Sequence, residues 1–164
     1  MRAVLDTNVV IDLLHFADPQ TLALRRAIAD GTLLCYGTTV EPALAAAQIL
    51  SQERQVEVAV VNARFAKPLD AALIGRLIQS GKPMVVCEDH AVTGGFGSAV
   101  LELAAERGMR SENVRLMGLP DRYVSFASRA EQLTEVGLDA TGISSAMWEL
   151  IRAARDAAAA RRKA

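Results

Sequence analysis

The residues of this chain that could carry chemistry fall in a few short stretches. Glu88-Asp89-His90 sets two carboxyl groups beside an imidazole, the residue types of general acid–base catalysis. No nucleophile and no metal-ligand spacing accompanies them, so a loop histidine at a domain contact is the favoured reading of His90. Gly94, Gly95 and Gly97 follow at once, just ahead of a helix-like run. Glycines there permit left-handed backbone and close approach, and a nest of N–H groups at a helix start can hold a phosphate. The plainer reading is that they let the turn pack against a neighbouring domain or subunit. Arg64 and Lys67 could grip an anion, although a solvated or salt-bridged loop is the more ordinary role. Asp121, after Pro120, is expected to fix its own turn by an Asx-type bond.

The elements that must position these residues alternate regularly. Apolar strand-like runs at Ala3–Leu5, Thr32–Tyr36, Val56–Asn62, Met84–Cys87 and Asn113–Met117 alternate with helical stretches. Val9–Leu14 reads as a short helix, and Asp18-Pro19 opens another that stops at Gly31 as a left-handed cap. Further helices span about Pro42–Gln52, Leu69–Gln79 and Ser98–Arg107. Ser128-Arg129-Ala130-Glu131 has capping-box spacing and opens a short helix ending at Gly137. A last helix starts near Thr141 and runs into an Ala/Arg tail, residues 152–164. This pattern predicts an α/β fold of three layers: a mostly parallel sheet of about five strands with helices on both faces.

Composition narrows the function classes. At 164 residues the chain is one ordinary domain, and a hydrophobic content of 51% supports a sizeable core. A net charge of −1 argues against a nucleic-acid partner. The arginines of the tail (Arg152, Arg155, Arg161 and Arg162, with Lys163) read as a solvated basic helix end. Cys35 and Cys87 sit inside apolar strands and read as reduced core residues. No run is long and apolar enough to span a membrane, and Asp6 and Asp12 interrupt the N-terminal apolar run of a would-be signal peptide. The expectation is a soluble cytoplasmic protein.

Five segments in order resemble the C-terminal domain of 1-deoxy-D-xylulose-5-phosphate synthase, a thiamine-diphosphate enzyme of the transketolase group. They are Cys35-Tyr36-Gly37-Thr38-Thr39-Val40 with the helix after it, Asn62 through Asp70, Glu88 through Glu102, Gly118-Leu119-Pro120-Asp121, and Gly137 through Ile143. Phe126-Ala127 departs from the small polar or glycine turn usual in the family. The resemblance covers about residues 31–143 and implies a transketolase C-terminal-like fold. It also implies a place in isoprenoid precursor synthesis, where the whole enzyme decarboxylates pyruvate and passes the two-carbon unit to glyceraldehyde 3-phosphate. In that family thiamine diphosphate and Mg²⁺ are held by preceding domains that this chain has no room for. The resemblance therefore implies a non-catalytic piece with no catalytic and no cofactor-binding residues of its own. Its expected partners are a second copy or a full-length synthase subunit.

Residues 1–30 read differently. Arg2 through Leu14 resemble the opening of a PIN-domain ribonuclease, in which an aspartate at the position of Asp6 helps hold a divalent metal and Asn8 supports it. One aspartate is not a site for a hard cation, and Glu41, Glu88 and Asp89 are taken by the stronger match. The alternative to the synthase reading is thus a metal-dependent ribonuclease using Asp6. The favoured account is a junction of three parts: a ribonuclease-like beginning (1–30), a transketolase C-terminal-like domain (31–151) and a helical tail (152–164).

Overall fold

The computed structural model describes residues 4–5 and 30–162. Five parallel strands form one sheet in the order β1-β3-β2-β4-β5: β1 (Val4–Leu5), β2 (Gly31–Tyr36), β3 (Val58–Asn62), β4 (Met84–Ala91) and β5 (Val114–Leu119). Between and after them lie α1 (Val40–Arg54), α2 (Ala71–Gln79), α3 (Phe96–Glu106), α4 (Arg129–Glu135) and α5 (Ala140–Arg161). The expected α/β architecture is present, with Val4–Leu5 pairing as the edge strand beside β3.

Strand parity builds the layers. Leu34, Val61, Met84 and Val86 face one side and bury Leu73, Ile74 and Ile78 of α2 with Val100 and Leu103 of α3. Leu33, Cys35, Val60, Val85 and Cys87 face the other side, against Leu50 of α1 and Ile143, Met147 and Ile151 of α5. A strand covered on both faces needs apolar residues at every position, which is why β2 and β3 read as unbroken hydrophobic runs. Helix starts follow local chemistry. Asp70 accepts from Leu73 N at 2.9 Å, and Asp139 accepts from Gly142 N at 2.7 Å. Ser128 and Glu131 form the expected reciprocal capping box.

Two expectations change. The first concerns β4, which continues past Cys87 to Ala91, so Glu88, Asp89 and His90 stand on a strand and not in a loop. Pairing with β5 resumes at Ala91↔Leu119 after an irregularity, which lets four residues of β4 advance against two of β5. In the second, Gly31 is not a left-handed helix cap but the first residue of β2; a Cβ there would lie 2.9 Å from Pro83 O and 3.1 Å from Met147 Sδ. The last helix runs on into the tail, since α5 is unbroken across residues 151 and 152, with residues 152–162 exposed. The helices expected at Val9–Leu14 and from Pro19 lie outside the described residues.

Candidate functional site

In a parallel sheet the carboxyl ends of the strands share one edge, where loops gather and ligands most often bind. Here that edge carries four of the five resemblance segments. Tyr36 ends β2 and His90 lies near the end of β4; the Tyr36 ring stacks on Phe96 at 5.3 Å and tilts toward His90 at 6.1 Å. With Lys67, Gly95 and Ala99 these residues line a cleft of about 590 Å³.

Glu88 forms the floor of this cleft and is the residue that organises it. Met84 and Val86 point toward α3, so parity sends Glu88 the same way, and its side chain is buried. One carboxyl oxygen accepts from Phe96 N at 2.7 Å and the other from Gly97 N at 2.8 Å. Those are first-turn N–H groups of α3, which have no intrahelical partner. Gly95, at the N-cap, has no side chain to satisfy them, so β4 supplies the acceptor. The glycines make room for it. A Cβ on Gly95 would overlap Glu88 Oε2 and Ala91 O, and one on Gly97 would lie 2.9 Å from Leu116 Cδ2. Of these three glycines only Gly94, at φ +75°, needs the left-handed region.

The N–H groups at Gly94–Gly97 that could have formed a phosphate nest, the less favoured reading of these glycines, are already filled from within the domain. An incoming phosphate would have to displace a buried acidic side chain from its two donors, which costs more than the site returns. The residues present consequently do not fit the diphosphate of thiamine diphosphate at this turn. Among the described residues, no three His, Cys, Asp or Glu side chains gather to hold a metal ion.

Asp89 faces the opposite side from Glu88. Its Oδ2 accepts from Thr38 Oγ1 at 2.8 Å and from the Arg129 guanidinium, tying β4 to the turn after β2 and to the start of α4. Partial burial works to raise the Asp89 carboxyl, but the hydrogen bonds from Arg129 and Thr38 and the charges of Arg129 and His90 outweigh it, and the group is held below its usual range. Thr39 donates its hydroxyl to Tyr36 O and Cys87 O, each at 3.0 Å. Cys35 and Cys87 are direct partners across β2 and β4, both free and buried. Burial pushes the Cys35 thiol up, and its hydrogen bond to Cys87 adds to the effect, which suppresses the nucleophilic thiolate.

The remaining candidates are dispersed. Arg64 and Lys67 are exposed in the β3–α2 loop, and the backbone there is held by Asn62 Oδ1, which accepts from Arg64 N at 3.0 Å. Asp121 makes no Asx bond among the described residues. Its turn is held by Arg122 N donating to Pro120 O at 2.8 Å, and Arg122 pairs with Glu135 at 2.6 Å. In the tail, Arg155 pairs with Asp30 at 3.0 Å and lies over the Trp148 ring. Asp6 and Asn8 lie outside the described residues. Sequence reasoning missed the structural role of Glu88, although two signals pointed to it: its parity with Met84 and Val86, and a helix start at Gly95 that lacks its own capping side chain.

The family model described as "Transketolase, C-terminal domain" matches residues 21–143, three quarters of the chain. The match begins ten residues upstream of Gly31, within the segment likened to a ribonuclease, and leaves the ribonuclease alternative without support. The 1-deoxy-D-xylulose-5-phosphate synthase 1 of Geobacter metallireducens is 46% identical over 116 residues, which are 71% of this chain and 18% of that protein. The synthase of Magnetococcus marinus is 46% identical over 121 residues, 73% of this chain and 19% of that protein. The synthase of an Anaeromyxobacter species is 41% identical over 133 residues, 79% of this chain and 21% of that protein. The chain thus spans about a fifth of the length of these relatives. Among solved structures, a chain titled "Split gene transketolase, inactive beta4 tetramer" superposes with a TM-score of 0.62 at 28% identity, covering 75% of this chain and 39% of that one. On the family match over three quarters of the chain and these likenesses, the chain belongs to the transketolase C-terminal-domain family, in its 1-deoxy-D-xylulose-5-phosphate-synthase-like branch.

Proposed function

We propose that this chain is a non-catalytic domain of the synthase type, acting in subunit or domain contact and not in chemistry. The observation that carries the reading is the use made of Glu88. The polar group best placed in the motif-lined cleft is spent on the N-terminus of α3, and the neighbouring Asp89 is spent on Thr38 and Arg129. A catalytic acid or base has to be poised toward substrate, and these bonds instead hold both carboxyl groups in links between elements of the fold. The split-gene transketolase chain, titled inactive and a tetramer, supports the same reading by analogy: a piece of a transketolase can assemble without turning over. Thiamine diphosphate, Mg²⁺, pyruvate and glyceraldehyde 3-phosphate belong in this reading to a complete synthase, whose chemistry the domain would serve by contact. Two free buried thiols and the synthase kinship favour a reducing cytoplasm. Among the described residues, no helix is long and apolar enough to cross a membrane.

The test is a synthase assay on the purified full chain with thiamine diphosphate, Mg²⁺, pyruvate and glyceraldehyde 3-phosphate. No product above the protein-free control is expected. Turnover that tracks the purified chain overturns the proposal.

A further inference from the structure

Residues 120–137, which link β5 to α5 and contain α4, are joined to themselves more closely than to the domain. Inside the segment, Ser128 and Glu131 close the capping box, Arg122 pairs with Glu135 at 2.6 Å, and Gln132 Nε2 donates to Ser125 O at 3.2 Å. Outward attachment is sparse. α4 has no buried residue, and among the described residues none of the segment's side chains belongs to either core layer. Leu133 and Val136 are half-buried, and Tyr123 and Phe126 face water. At the junction with α5, Thr134 donates to Asp139 at 2.9 Å. Away from that junction, the segment's one hydrogen bond to the rest of the domain, among the described residues, runs from Arg129 to Asp89. Both ends are anchored: Leu119 O accepts from Val92 N at 3.1 Å, and Leu138 is fully buried.

We propose that residues 120–137 form a latch that swings as a unit between these two anchors, with the Arg129–Asp89 ion pair as its catch. An element held by buried apolar area opens only with the whole domain, whereas one held by a few exposed bonds opens by itself. This catch is of the second kind. Arg129 is 51% and Asp89 16% exposed, so water and dissolved ions reach the pair and weaken it. The bonds inside the segment survive opening, which keeps it a body and not a melted loop. Opening parts Asp89 from its cation and leaves its carboxyl with Thr38 as the remaining partner. The end of β4 is then uncovered on the side away from Glu88.

The experiment measures spin-label distances in the full chain by double electron–electron resonance. Cys35 and Cys87 are both 0% exposed and take no label, so labels go to introduced cysteines at exposed positions. Ala45→Cys on α1 with Ala130→Cys on α4 reads the latch against the domain, and Tyr123→Cys with Ala130→Cys reads it against itself. Between about 20 mM and about 1 M sodium chloride, a longer 45–130 distance should gain population about two- to fivefold, the range that one exposed ion pair supplies. Asp89→Asn should produce a gain of that size already at low salt. Glu149→Gln removes the exposed pair with Arg115 on β5 and, as the control, should leave the distances as in the parent. The 123–130 distance should stay single throughout. A 45–130 distance unmoved by salt and by Asp89→Asn overturns the latch. An equal gain from Glu149→Gln overturns the catch, and a 123–130 distance that broadens in step overturns motion as a unit. None of these readouts depends on turnover, so the synthase assay fails or stands separately.

Discussion

The turn after β4 and the loop after β5 leave neighbouring strands at the same edge of the sheet, and they use their side chains in opposite ways. The β4–α3 turn is closed on itself. Glu88 satisfies two N–H groups of α3, Ser98 Oγ accepts from Gly94 N at 3.0 Å, and Ser98 donates to Val92 O at 2.7 Å. The β5–α4 loop holds its backbone with a few bonds, including Arg122 to Glu135, and leaves Tyr123 and Phe126 facing water. A turn whose helix-start N–H groups are satisfied from within the domain is a structural joint. A loop whose apolar groups are unpartnered is a surface for something else. Both lie within motifs that resemble one enzyme family, so motif membership alone does not distinguish a joint from a surface.

Substitutions can break or sharpen this contrast, beginning with the turn. Gly95→Ala places a methyl group onto Glu88 Oε2 and the backbone Ala91 O, and Glu88 cannot move away without losing its cap on α3. A loss of at least about 3 kcal/mol in urea unfolding is expected. A smaller loss than that from Glu88→Gln would mean the turn is less tightly closed than described. Glu88→Gln keeps the volume but points an amide NH₂ at one of the two N–H donors, for an expected loss of about 2 kcal/mol. If instead the variant matched the parent, the carboxyl would be free for another role and the non-catalytic reading would weaken.

Asp89→Asn tests the link between the two regions, since Asp89 joins β4 to Arg129 at the start of α4. Arg129 is half exposed, so solvent screening limits the loss to about 1 kcal/mol at neutral pH. The Asp89 carboxyl is held below its unfolded value, so its contribution is complete above about pH 4, the unfolded range, and fades as pH falls through the lower folded value. The stability gap between parent and variant should therefore close on acidification; unfolding midpoints across that window would measure it. The smallest effect belongs to the loop: Phe126→Ser should leave the stability of the isolated chain within about 0.5 kcal/mol, because the ring touches nothing in its own chain.

Much of this protein was legible in its sequence because the signals are local. Alternating apolar runs and turns declared the parallel α/β sheet, the Ser128–Glu131 spacing declared a capping box, and the ordered motifs declared the family. Apolar character around Cys35 and Cys87 was enough to place them in the core. What tertiary structure alone decided are relations between residues far apart in the chain. The pairing of Cys35 with Cys87 depends on β2 and β4 lying side by side, although β3 comes between them in sequence. The end of β4 depends on how β5 pairs with it, and that pairing turned an apparent loop triad of Glu88, Asp89 and His90 into a strand with two carboxyl groups on opposite faces. The fate of the glycine nest was decided in the same way. Its donors are an open anion site or a closed joint according to whether an acceptor arrives from the neighbouring strand, and only the packed sheet brings Glu88 to them.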